Sequence, residues 1–147
     1  MSKLISTLLA AAVVAAATAP AMAATGSGNE ANDTMACTIS VEHKRGSVTT
    51  LVYTRDFVVA PSAPYTDDFS TATRFRFFDA TVARVDGAPE VAFVFDADVD
   101  VFNAVNFGSV LRVNDENKGE TLTGSSSFFG SAVGSHRSFY TLTCKRA

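Results

Sequence analysis

The longest regular alternation of apolar and polar positions runs through residues 74–102. Over residues 90–102, Val91, Phe93, Phe95, Ala97, Val99 and Val101 take the odd positions, and Asp96, Asp98 and Asp100 take even ones. Strand side chains point alternately to opposite faces, so the spacing predicts a strand with one apolar and one acidic face. Residues 74–82 supply the other arm of a hairpin, and Asp86-Gly87-Ala88-Pro89 supplies the turn. The expected register puts Arg76 opposite Asp98 and Arg74 opposite Asp100, with Phe75 facing Val99 and Phe77 facing Ala97 on the other side. Nearer the turn the apolar phase of the first arm moves to Phe78, Ala80 and Val82. A β-bulge at Phe77-Phe78 is therefore expected, turning Asp79 outward beside Asp96.

The same period recurs along the chain. Residues 35–42 alternate Met35, Cys37, Ile39 and Val41 with Thr38, Ser40 and Glu42, and a turn is expected at 43–47. Residues 48–60 form a second strand, with Leu51, Tyr53, Phe57 and Val59 on one face and Arg55 interrupting it, so a bend or exposed strand end is expected there. Pro61 and Pro64 end it, because proline cannot donate to a ladder. Residues 61–70 read as a loop. Further strands are expected at 107–113, 120–123, 128–133 and 137–145, with turns at 103–106, 114–119, 124–127 and 134–136. No helix is expected beyond the N-terminal region. Seven or eight strands separated by turn signals predict one antiparallel all-β domain over residues 34–147, a β-sandwich or a closed β-barrel.

The N-terminus breaks the pattern. Lys3 precedes an apolar, Ala-rich run from Leu4 to Ala19, and Ala21-Met22-Ala23 follows Pro20. A basic start, an apolar centre and an A-x-A site predict a bacterial-type signal peptide over residues 1–23, cleaved after Ala23. Residues 24–33 are small and polar and read as a flexible leader. The expected location is periplasmic or secreted, with no membrane span in the mature chain. Export changes the reading of the cysteines. Only Cys37 and Cys144 are present, both in core phase of the first and last strands, so a disulfide joining those strands is expected.

The chain carries a formal net charge of −3, and no patch of Lys and Arg stands out. Nucleic acid is excluded as an expected partner on that ground. Asp79, Asp96, Asp98 and Asp100 are the dense carboxylate set and the weak candidates for calcium. Same-face residues on a strand lie about 6.5–7 Å apart, and the arginines expected opposite explain the acids without an ion. No metal site and no cofactor are therefore expected. His43 and His136 both fall in expected turns beside basic residues and read as solvent-exposed. No nucleophile elbow or phosphate-cradling glycine motif appears, so no catalytic residue is assigned.

Twelve Phe and three Tyr remain. Phe75, Phe77, Phe93 and Phe95 are the candidate pocket for a small apolar ligand inside a barrel. Tyr65, Phe69, Phe128 and Phe129 are the candidate binding surface for a protein partner. The expected function is a non-enzymatic exported binding module. The alternatives are an assembly subunit pairing through an edge strand, an inhibitor of an extracytoplasmic hydrolase and, least favoured, a hydrolase using the acidic strand face.

Overall fold

The period-two alternation builds strands along nearly the whole described chain. A computed structural model describes residues 33–130 and 134–147. The expected signal peptide, leader residues 24–32, residues 131–133 of the expected strand 128–133 and the side chain of Phe129 lie outside the described residues. The strands are β1 (Met35–Arg45), β2 (Val48–Val59), β3 (Tyr65–Asp68), β4 (Arg76–Val85), β5 (Ala88–Asp98), β6 (Ala104–Arg112), β7 (Glu120–Gly130) and β8 (Gly134–Arg146). They form two four-stranded antiparallel sheets, ordered β2-β1-β8-β7 and β3-β4-β5-β6. Of the two expected architectures the sandwich is the one formed. The barrel is not closed, because the ladders fall into two separate sheets.

The core lies between the facing sheets. Met35, Ile39, Val41 and Leu142 from one sheet meet Phe78, Val91 and Phe95 from the other, all fully excluded from solvent. Burial of a side chain of this size stabilises the fold by about 1.5–3 kcal/mol. Cys37 and Cys144 stand directly opposite each other on β1 and β8 and are joined by the expected disulfide, across a sequence separation of 107. Neither thiol is free.

The β4–β5 hairpin departs from its expected register. Asp86 (φ 46°) and Gly87 (φ 80°) occupy left-handed backbone conformations in a two-residue turn, the geometry that a Gly after Asp favours. From that turn the ladder runs without interruption: Val82 opposite Val91, Ala80 opposite Phe93, Phe78 opposite Phe95, Arg76 opposite Ala97. The expected bulge at Phe77-Phe78 does not form, Arg76 does not meet Asp98, and Arg74 lies outside β4. The energetics favour this outcome. An exposed cross-strand ion pair contributes about 0.2–1 kcal/mol, less than the burial of one large apolar side chain. A one-residue change of register exchanges the faces, so Phe75 and Phe77 are on the outside.

Three further departures have local causes. β3 forms inside the expected loop, because Tyr65 reaches the core edge and stacks on Phe57 with ring centroids 4.8 Å apart. β2 does not bend at Arg55, which keeps register opposite Ile39 while its guanidinium reaches Asp67 at 2.9 Å and lies over the Tyr53 ring. The irregularity falls instead between His43 and Lys44. β7 is one strand where two were expected, because Gly124 stays in the ladder opposite Tyr140. A Cβ there would lie 2.3 Å from the Tyr140 ring, so the glycine provides room for that ring and does not break the strand.

Asp33, the last residue of the expected leader, is buried. The Arg84 side chain grips both its carboxylate oxygens and reaches Glu116, which in turn contacts Arg146. The guanidinium of Arg84 holds the Asp33 carboxyl below its ordinary value against the opposing effect of burial.

Candidate functional site

The outer face of the β3–β6 sheet follows directly from the β4–β5 register. Across it, Asp68 of β3, Phe77 of β4, Asp96 of β5 and Asn106 of β6 form one row. Thr66, Asp79, Val94 and Gly108 form the next. Beyond the first row, Phe75 is tied to Asp98 twice: its N–H donates to Asp98 Oδ2 at 2.8 Å, and its carbonyl accepts from the Asp98 N–H at 2.8 Å. The Phe75 and Phe77 rings lie nearly parallel, 18° apart with centroids at 6.4 Å. Phe75 is 52% exposed. The face therefore carries two neighbouring rings flanked by Asp68, Asp96 and Asp98, with Asp79 one row away. A hollow of about 80 Å³, lined by Asp79, Thr81, Ala92, Phe93 and Val94, lies further along the hairpin toward the β4–β5 turn.

No cationic side chain among the described residues lies within ion-pair distance of Asp68, Asp79, Asp96 or Asp98. Asp79 accepts from the Thr66 hydroxyl at 2.8 Å, and Asp68 from the Ser70 N–H at 3.0 Å. Those Ser70 bonds hold the Asp68 carboxyl below its ordinary value. The arginines expected to neutralise this face do not do so. Arg76 stands opposite Ala97, on the inward side of its strand, and its Nε is buried without a hydrogen-bond partner.

The remaining candidates are distributed as follows. Phe93 and Phe95 are buried in the core, so they do not share a pocket with Phe75 and Phe77. Tyr65 and Phe69 are partly buried and close the core edge, Phe69 stacking on Tyr53 at 4.4 Å. The Tyr53 hydroxyl beneath donates to Asp67 at 2.9 Å, and burial pushes its pKa far up, with the Asp67 bond second. Asp100 is not on the acidic face. It caps the β5–β6 turn by accepting from the Phe102 N–H and the Asn103 side-chain amide at 2.8 Å, bonds that lower its pKa. Phe102 on that turn is 93% exposed. No three His, Cys, Asp or Glu side chains among the described residues come together in a set able to hold a metal ion.

The two histidines correct the sequence reading most sharply. His43 lies within β1 and His136 within β8, and both are fully buried. Their local neighbours Lys44 and Arg137 suggested solvent. Strand parity carried the better signal, because His43 shares the face of Ile39 and Val41, and His136 that of Ser138 and Leu142. His43 Nε2 lies 3.1 Å from His136 Nδ1, and His43 Nδ1 lies 2.7 Å from the Ser138 hydroxyl. The Phe128 ring stacks on His136 at 4.4 Å and 9°. Burial, then the neighbouring His136, holds the His43 pKa below its ordinary 6.5 against a weaker opposing pull from Asp100. Ser138 has a histidine partner but is itself buried, which closes its oxygen to an incoming substrate.

Comparison with protein-family models, with curated proteins and with solved structures finds no match.

Proposed function

We propose that this chain is an exported, non-enzymatic binding module. Its docking surface is the outer face of the β3–β6 sheet, and its partner presents a cationic protein surface. One observation carries the reading: Asp68, Asp79, Asp96 and Asp98 share a sheet face with the stacked Phe75 and Phe77, and among the described residues no cationic side chain lies within ion-pair distance of any of the four. An Arg or Lys side chain suits both halves of that surface. Its charge is attracted to an aromatic face, and its donors make charge-assisted hydrogen bonds to carboxylates. Unneutralised acids on one face also steer a cationic partner during approach. The signal-peptide pattern of residues 1–23 and the Cys37–Cys144 disulfide support export. An inhibitor of an extracytoplasmic hydrolase with a basic surface is one form of this function.

Isothermal titration of the mature domain with an oligo-arginine peptide, and with oligo-glutamate as control, tests the reading. Binding of the cationic peptide alone is expected, and it weakens as salt rises from about 0.01 to about 1 M and the screening length shrinks from about 30 to about 3 Å. The double variant D96N/D98N is expected to bind at least about tenfold more weakly, equivalent to about 1.4 kcal/mol. Equal binding of the wild type and this variant would rule the surface out.

A second reading, assembly through an edge strand, rests on the shortness of β3. It pairs with residues 77–80 of β4, and residues 81–85 of that strand have no ladder partner on that side among the described residues.

A further inference from the structure

His43 and His136 form a closed unit that the docking face does not use. Both rings are fully buried, their facing nitrogens lie 3.1 Å apart, and the Phe128 ring lies flat over His136. The tautomer that leaves no buried N–H without an acceptor has His136 Nδ1–H donating to His43 Nε2 and His43 Nδ1–H donating to the Ser138 hydroxyl oxygen. The far nitrogen of His136 is buried and has no hydrogen-bond partner among the described residues. An added proton thus places a charge where water does not reach, and it leaves an N–H donor at that orphaned Nε2.

We propose that the His43–His136 pair is an acid-triggered latch, in which proton uptake by the pair unstacks Phe128 and opens the ladder where β8 meets β1 and β7. The surrounding charges are of both signs. Asp100, from the β5–β6 turn, favours the protonated pair. Arg45, directly opposite His136 on β1, brings a positive charge at an exposed strand end, and Asp100 is the group whose pull on the pair is resolved. Glu42 and Lys44 on β1 and Arg137 on β8 have the opposite strand parity and point to the outer face. Leu51 of β2, opposite His43, and Phe128 of β7 bring no charge. The fully desolvated position makes the protonated closed state costly. Opening hydrates both rings and removes that cost, so acid shifts the balance toward the open end.

Native-state hydrogen exchange, corrected for the intrinsic pH dependence of the rates, tests this at about pH 7.5 and about pH 5, either side of the ordinary histidine value. In acid the amides of residues 43–45, 126–128 and 136–138 are expected to lose about tenfold or more in protection. Those of residues 37–39 and 142–144, beside the disulfide, are expected to keep theirs. H43L/H136F, which keeps a ring against Phe128 and removes both titrating imidazoles, is expected to abolish the difference, and D100N to enlarge it. Equal protection at both pH values would overturn the latch, as would an acid response that survives in H43L/H136F. Should H43L/H136F fail to fold, a wild-type proton-resonance titration decides: His43 is expected to protonate below its ordinary 6.5, and a His43 midpoint at or above 6.5 overturns the proposal.

Discussion

Phe77 of β4 stands directly opposite Asp96 of β5 on the outer face of its sheet. One strand position further, Phe78 stands opposite Phe95 in the core. Two adjacent phenylalanines thus occupy opposite environments, and substitution separates them. F75S and F77S are expected to cost little stability, about 1 kcal/mol or less. F95A is expected to cost about 3–5 kcal/mol through lost transfer energy and a residual cavity. Urea midpoints of the three variants check this. A cost for F77S matching that for F95A would place Phe77 inside and remove the proposed docking face.

Asp33 and Arg84 fasten the start of the domain to β4. Removing Arg84 leaves a buried carboxylate short of its main partner, and R84M is expected to destabilise by about 3 kcal/mol. The pH dependence has a defined sign. The folded Asp33 pKa is depressed below 3.8, so its contribution is present above about 3.8 and is lost as pH falls through the lower native value. D33N is expected to flatten the acid limb of the stability curve in that window. An unchanged limb in urea melts across this range would show that Asp33 does not contribute to it.

The Cys37–Cys144 bridge closes nearly the whole domain into one loop. In the chain-entropy account its loss costs roughly 4–5 kcal/mol. Unfolding with and without reductant measures it, and the C37A/C144A variant is expected to match the reduced wild type. A reduced protein as stable as the oxidised one would remove the bridge from the account.

Gly124 is held by the Tyr140 ring. Tyr140 packs on Phe107 with centroids at 4.9 Å and meets Phe93 edge-on at 5.1 Å, so it has little room to retreat from a new methyl group. G124A is expected to destabilise by about 1–3 kcal/mol through overpacking, read as a lower melting temperature. Y140L together with G124A is expected to recover part of the loss.

The alternation of Cys37, Ile39 and Val41 with polar neighbours, and the Asp86-Gly87 turn, made the all-β fold legible. The shared core phase of Cys37 and Cys144 made the bridge between the first and last strands legible too. The register of β4 against β5 was not. Arg74 and Arg76 offered a charge pattern matching Asp100 and Asp98, while the deciding contacts come from the other sheet, where Tyr53 and Phe57 pack on Phe78. Those contacts are remote in sequence and leave no local mark. The histidines show the same limit. Lys44, Arg45 and Arg137 dominate the local charge, yet Glu42, Lys44 and Arg137 lie on the other side of their strands, and of these charged neighbours Arg45 alone shares the face of the histidines. Tyr65 and Phe69 read as binding-surface residues in a loop, because a four-residue strand such as β3 is too short to show a period and their packing against the core leaves no local mark.

The proposed docking of a cationic partner on the acidic, aromatic face of β3–β6 has one decisive test, chemical-shift mapping of isotopically labelled residues 24–147 during titration with an arginine-rich peptide. The account predicts shifts concentrated at Phe75, Phe77, Asp79, Val94, Asp96 and Asp98, diminishing as salt is raised, with the Thr- and Ser-lined outer face of the opposite sheet unaffected. Shifts on the opposite sheet alone, or none at saturating peptide, would contradict it.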